Sequence, residues 1–332
     1  MSTPVFLIIK IVARADSKII FFGTSEFAIP ALSALKNEGY EIVAVITNPD
    51  EPVGRKKVLT PPPVKIAAEK YGIKILQPEK LRNNPELAEQ LKNLLNAKRS
   101  TLNASIGIVA AYGKIIPVEI INLPRLGILN IHPSLLPKYR GPTPIQTTIL
   151  NGEKETGVTI IKIDEEVDHG PILESRKWKI ESRIKFEELS NELAKFGAEL
   201  LIKILPDYLA GKIMPQSQDR SQATFTKKFT RDDAKINWSK TAGEIDRQIR
   251  ALNPEPGVWT TWNGKILKIL EAEAISEGGK QNGQVFQDEN KTTVGTVEGL
   301  IILKTIQLEG KKAMSAEDFV KGNRDFIGSI LE

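Results

Sequence analysis

Two residues two places apart carry the first chemical hint: Asn130 and His132, in "LNIHPSLLPKYRGPTPIQ", residues 129–146. Two histidines are present among 332 residues, and one of them sits here. Side chains alternate at period two along an extended chain, so Asn-Ile-His presents an amide and an imidazole on the same side. Such a pair can simply pin a loop through hydrogen bonds. It can also face a substrate. A carboxylate that could serve it lies 38 residues on, at Asp168 in "DEEVDHG". At a strand end, Asp168 can orient His132 and set its tautomer. Asn130 can donate to a developing oxyanion. The three suit acyl transfer to an amine, with one group holding the carbonyl oxygen, one managing protons and one orienting. An acidic loop such as this one, with Asp164, Glu165, Glu166 and Asp168, is usually just solvated, and His169 reads as an exposed neighbour and not a second catalyst.

The elements that must position these groups follow from hydrophobic patterning. Ile19–Phe22 is a continuous apolar run, as in a parallel strand buried on both faces. Gly23-Thr24-Ser25 makes a turn, with Thr24 or Ser25 as helix cap, and Gly39 closes that helix. Strands are expected at 42–46, 73–76, 106–110, 127–131 and 158–163. Helices are expected at 64–71, 85–96 and 186–205. Alternating strands and helices predict a mostly parallel sheet with helices on both faces. Residues 215–228 are polar and weakly patterned, like a linker. Beyond them, "INWSKTAGEIDRQIRAL" predicts one amphipathic helix with Ile245 and Ile249 on a common face. Short segments at 257–262, 266–270, 284–286, 292–296 and 300–305, alternating with glycine turns, have the texture of a small β-barrel.

Hydrophobic content of 41% and charged content of 26% suit a folded soluble chain, and the length suggests about two domains. The absence of cysteine excludes disulfides, thiol nucleophiles and cysteine-bound metals, and is compatible with a reducing cytoplasm. Two histidines leave no histidine-rich metal site, so no metal is expected. The net charge of +5 is uneven: residues 1–229 carry +7 and residues 230–332 carry −2. A polyanionic partner would therefore be drawn mainly to the first part of the chain. The apolar run Val5–Ile9 is too short to span a bilayer and lacks the flanks of a signal peptide, so residues 1–17 are expected to be an extension and no membrane is involved.

The runs "NIHPSLLPKYRGPTPIQ" and "GVTIIKIDEEVDHGPIL", in that order and at that spacing, resemble the folate-dependent formyltransferase superfamily. Its members transfer formyl from N10 of 10-formyltetrahydrofolate. Along nearly all of residues 18–332 the chain resembles the branch that acts on methionyl-tRNA. The discriminating stretches are "TNPDEPVGRKKVLTPPPVKIAAEKYGIKILQP", "INWSKTAGEIDRQIRALNPEPGVWT" and "LEGKKAMSAEDFVKG". The resemblance implies an α/β architecture. It has an N-terminal extension over 1–17, a Rossmann-like formyltransferase domain over 18–214, a linker over 215–229 and an OB-like C-terminal β-barrel domain over 230–332.

By the same resemblance Asn130, His132 and Asp168 are the catalytic trio. The α-amine of methionyl initiator tRNA attacks the formyl carbon, Asn130 and His132 stabilise the oxyanion, and Asp168 orients the histidine and assists proton transfer. Folate is expected against Tyr112, Gly113, Lys114, Ile115, Ile116 and Pro117, against Ser134, Leu135, Leu136 and Pro137, and against the loop around Asp168, largely through backbone groups. Phe27 matches a residue of the methionine pocket, or else packs a helix. Arg55, Lys56 and Lys57 lie in a loop that the resemblance sends into the acceptor stem, with Arg55 matching the base-contacting residue. Arginine can read base edges as a fork and also neutralise phosphate. Two positions depart from many relatives: Pro133 stands in place of glycine and His169 in place of threonine. The expected state is a cytoplasmic monomer.

Two alternatives stand beside this reading. One is formylation of a small molecule. A glycinamide ribonucleotide enzyme would lack the barrel; a sugar-nucleotide enzyme would share it, and the basic 51–60 loop argues against that substrate. The other is a nucleic-acid-binding protein with a degenerate transferase domain, against which the intact Asn130, His132 and Asp168 argue.

Overall fold

The apolar runs become the strands of one sheet, in a computed structural model that describes residues 17–54, 56–96, 104–276, 281–288 and 291–332. Residues 1–16 of the expected extension, and Arg55, lie outside the described residues. The chain divides into two compact units. The first comprises residues up to 142 together with 155–179 and 190–226; the second comprises 143–154, 180–189 and 227–332.

In order, the first unit runs β1 (Ser17–Gly23), α1 (Ile29–Asn37), β2 (Glu41–Ile46), β3 (Glu51–Val53), β4 (Val58–Thr60), α2 (Pro63–Lys70), β5 (Ile75–Leu76), α3 (Pro85–Asn96), β6 (Ala104–Ala110), α4 (Val118–Ile121) and β7 (Ile128–His132). After α5 (Pro144–Leu150), which groups with the second unit, come β8 (Glu155–Lys162), β9 (Ile172–Lys179) and α6 (Phe186–Leu209). The sheet order is β5-β2-β1-β6-β7-β8-β9. It is parallel from β5 to β7 and antiparallel from β7 to β9. The expected mostly parallel, Rossmann-like sheet is present, with an antiparallel edge. Strand β9 was not expected. Its sequence, ILESRKWK, is mostly exposed, as a polar edge strand is.

Both faces are covered. Ile20 and Phe22 of β1, Ala44 and Ile46 of β2 and Val109 of β6 pack with Leu87, Leu91 and Leu95 of α3. Fully burying a leucine or phenylalanine in such a layer contributes about 1.5–3 kcal/mol each. On the opposite face α6 comes so close to β7 that a Cβ on Gly197 would meet Ile131 at 2.6 Å. The expected cap at Thr24 or Ser25 is not made. Ser25 caps no backbone N–H, and the Thr24 hydroxyl donates instead to the Tyr112 carbonyl at 2.9 Å. A long-range bond between two loops has displaced a local one.

The second unit holds α7 (Ala242–Leu252), β10 (Trp259–Trp262), β11 (Lys265–Ile275), β12 (Val285–Asp288), β13 (Lys291–Gly295), β14 (Leu300–Leu308), β15 (Met314–Ser315) and α8 (Ala316–Gly322). Helix α7 opens with a complete capping box between Thr241 and Glu244 and buries Ile245 and Ile249, as its periodicity predicts. The antiparallel sheet runs β10-β11-β14-β13-β12, with β15 on β14. Its OB-like closure comes from the last residues of the chain. Glu332 exchanges both backbone bonds with Thr261 of β10, while Ser329 and Leu331 accept from and donate to residues at the β12 edge. Two strand edges that would otherwise stay open are thereby bridged.

Candidate active site

Strand β7 interrupts an apolar surface with polar groups. Cross-strand partners share a face. Asn130 is flanked by Val109 on β6 and Ile161 on β8, and His132 pairs with Thr159. Asn130 and His132 therefore emerge on the same side, as alternation predicts, and His132 is buried. The loop from β8 to β9 brings Asp168 over both. Asn130 Nδ2 donates to Asp168 Oδ1 at 3.2 Å, and His132 Nδ1 lies 3.5 Å from Asp168 Oδ2. The Gly141 N–H donates to Asp168 Oδ2 at 2.8 Å.

The ring of His132 is held from the other side too. Its Nε2 is 2.9 Å from the Tyr139 carbonyl oxygen. A carbonyl only accepts, so Nε2 carries the hydrogen. Nδ1 and the Asp168 carboxylate are then two basic groups side by side. One proton between them converts repulsion into a charge-assisted hydrogen bond. Asn130, meanwhile, keeps a second amide hydrogen to offer.

The other expected residues divide into framework and accessible surface. The Tyr112 ring is buried edge-on against Phe22, and burial pushes its phenol far up; its hydroxyl has no partner among the described residues. It is core, while its carbonyl secures Thr24. Lys114 donates to the carbonyls of Pro78 and Glu79 at 3.2 and 3.0 Å. Ile116 is buried and Pro117 precedes α4, whereas Ile115 is 72% exposed. At Gly113 an added Cβ would meet nothing within 4 Å. Ser134 is buried and donates to the Lys138 carbonyl; Leu136 is buried with its N–H on the Thr159 hydroxyl. Leu135 lies against Gly157, and the Pro137 carbonyl accepts from the Thr224 N–H. Phe27 is buried beside Ala28 in the turn after β1.

Lys56 and Lys57 sit at the turn of the β3–β4 hairpin, exposed, with Val53, Val58 and Leu59 also exposed. The segment expected as a loop is thus a hairpin. His169 is not a bare exposed neighbour. Its Nδ1 bonds Asp164 Oδ2 at 2.7 Å, and its Nε2 accepts from Arg220 Nε at 3.0 Å.

Residues 17–205 match the formyl transferase family, and residues 228–324 match the formyl transferase C-terminal domain. The chain belongs to the formyl transferase family. Among relatives, a methionyl-tRNA formyltransferase of Chloroflexus aurantiacus is 46% identical over 308 residues, 92% of this chain and 96% of that one. A methionyl-tRNA formyltransferase of Caldanaerobacter subterraneus is 40% identical over 316 residues, 95% of this chain and 100% of that one. Solved structures share the fold. An N-formyltransferase of Helicobacter canadensis, in complex with folinic acid and dTDP-3-aminofucose, is 23% identical with a TM-score of 0.62, over 87% of this chain and 98% of that chain. HypX of Aquifex aeolicus in complex with tetrahydrofolic acid is 17% identical with a TM-score of 0.63, over 94% of this chain, which spans 48% of that longer chain.

Two functional candidates escaped the sequence reading: Arg140 and Gln218. Arg140 is buried, and Gln218 lies in the segment expected as a linker. The polar texture of 215–228 was the available signal. It marks a strand-like strap bonded to β9 and to the 139–141 turn, because a polar segment that finds partners looks the same in sequence as one that finds water.

Proposed function

We propose that this chain transfers the formyl group of 10-formyltetrahydrofolate to the α-amine of methionyl initiator tRNA. The observation that carries the reading is the meeting of Asn130, His132 and Asp168 on one strand face, one of them a donor and two of them a proton-accepting pair. The donor folate supplies an activated one-carbon carbonyl. Exposed apolar Ile115 and Val167, with open space at Gly113, suit a flat heteroaromatic ring approached by backbone. Asn130 donates to the carbonyl oxygen as the amine adds and charge grows there, a contact worth about 2.7–4 kcal/mol. The His132–Asp168 pair takes the proton the amine must lose and passes it to N10 as the bond between N10 and the formyl carbon breaks, so that tetrahydrofolate leaves. The Tyr139 carbonyl and the Gly141 N–H keep ring and carboxylate in register while this happens.

The tRNA assignment rests on relatives 40–46% identical over nearly the whole chain and on the basic hairpin. Arg55 is the proposed base reader, Lys56 and Lys57 the proposed phosphate contacts, and Phe27 the proposed wall of the methionine pocket. The division at 215–229, a monomeric state and a cytoplasmic location belong to the same proposal; no described helix is long and apolar enough to cross a membrane. The test incubates the protein with 10-formyltetrahydrofolate and either methionyl initiator or methionyl elongator tRNA. Formylation of the initiator in clear preference is expected. Turnover of an amino-sugar nucleotide with neither tRNA formylated would overturn the reading.

A further inference from the structure

We propose that Gln218, with Arg140 behind it, is a positioning residue that aims Asp168 at the reacting groups. Gln218 Nε2 donates to the carbonyls of Asp168 and Gly170, at 2.9 and 2.7 Å. Its Oε1 accepts from Arg140 Nε and Nη2, at 3.1 and 2.8 Å. The guanidinium can only donate, so the amide oxygen must face Arg140 and the amide nitrogen must face the two carbonyls. Arg140 thus decides which end of Gln218 meets the catalytic loop. Arg140 is itself fixed. It is 4% exposed, its N–H donates to the Thr224 carbonyl, and its carbonyl accepts from the Thr226 N–H.

The loop needs such a clasp. Asp168 has φ of +50°, in the left-handed region that residues other than glycine occupy at a cost. Its side chain is held at both oxygens, by Asn130 and by Gly141, but nothing in those contacts fixes its backbone. Gln218 does, by tying the carbonyls of Asp168 and Gly170 to a single amide. Gly170 packs too tightly for any side chain: a Cβ there would meet the Lys162 carbonyl oxygen at 1.8 Å. A strap from residues 216–226 and a strained loop therefore converge on one carboxylate. Arg220, largely exposed, adds a weaker tie through His169.

The inference rests on the proposed formyl transfer, and its test separates the two. Gln218→Glu keeps an acceptor for Arg140 but removes both N–H donors to the loop. Its kcat is expected to fall roughly 10- to 100-fold, as for a misplaced reacting group, with the thermal midpoint near wild type. In an Asp168→Asn background the same change is expected to cost less than about twofold, because Gln218 acts through Asp168. Unchanged kcat, or an equal loss in both backgrounds, would overturn the proposal. A readout independent of substrate comes from the two histidines, whose ring signals in NMR are assigned with His169→Gln. The His132 signals are expected to move in Gln218→Glu; stationary signals would overturn positioning whatever the substrate. If wild type formylates no tRNA yet those signals move, the substrate assignment fails and the positioning role stands. Should Gln218→Glu not fold, Gln218→Met, near in size and without donors, takes the same measurements.

Discussion

At the scale of single residues the site works by restricting what each polar atom can do. The Tyr139 carbonyl accepts a hydrogen bond from His132 Nε2, which leaves Nδ1 facing the Asp168 carboxylate. Asn130 divides its amide between Asp168 and the space before the strand. Asn130→Ala and His132→Ala are each expected to lower kcat for formyl transfer at least about a hundredfold while folate binding persists. Single-turnover rates beside equilibrium folate titrations would check this, and near-normal turnover in either variant would remove that residue from the mechanism. Asp168→Asn is expected to be severely impaired, because an amide cannot accept the proton. A rate independent of this change at every pH would make Asp168 a structural residue.

At the scale of elements, the β3–β4 hairpin is the clearest unit with no role in the core. Its strands are exposed throughout, and Lys56 and Lys57 stand at its turn. Side chains so placed serve a partner or the solvent. Lys56→Ala and Lys57→Ala are expected to weaken tRNA binding about equally for initiator and elongator, and each to reduce the salt slope by about one. Arg55→Ala is expected instead to narrow the gap between the two tRNAs, costing about 1–3 kcal/mol on the initiator. Catalytic efficiencies on both tRNAs at two salt concentrations decide the matter. Three variants with unchanged efficiency and unchanged ratio would show a merely solvated hairpin.

At the scale of the molecule, the second sheet is finished by residues some way along the chain from the strands they join. The last residues close the second sheet by bonding β10 and the β12 edge at once. Removal of residues 328–332 is expected to expose both edges, lower the thermal midpoint and promote association, measured by melting and by light scattering. Acid stability has a local source in the same unit. A hydrogen bond from Lys227, then backbone and hydroxyl bonds from Thr230, hold the Asp233 carboxyl down at about 2. A depressed folded-state value means that its stabilisation is present above the unfolded value near 3.9 and is lost as pH falls through about 2. Asp233→Asn is therefore expected to lower the melting temperature at neutral pH and to converge with wild type only below about pH 2. A constant difference across that range would assign the effect to another group.

The sequence by itself determined the parallel sheet, the amphipathic helices and the pairing of Asn130 with His132, because alternation and apolar periodicity are properties of neighbouring residues. Motif order brought Asp168 into the same group through family resemblance. What periodicity does not record is where a polar group finds its partner. The Tyr112 ring packs against Phe22 and Lys114 donates to the carbonyls of Pro78 and Glu79, partners that no local pattern names. Thr24 looks like a cap and bonds a residue 88 positions away. Gln218 looks like linker and holds the carbonyls of Asp168 and Gly170, 50 and 48 positions back. Each of these contacts joins segments whose approach is set by the packing of whole strands and helices. Only the tertiary structure could decide them, since a hydrogen bond has no signature until both of its ends are in place.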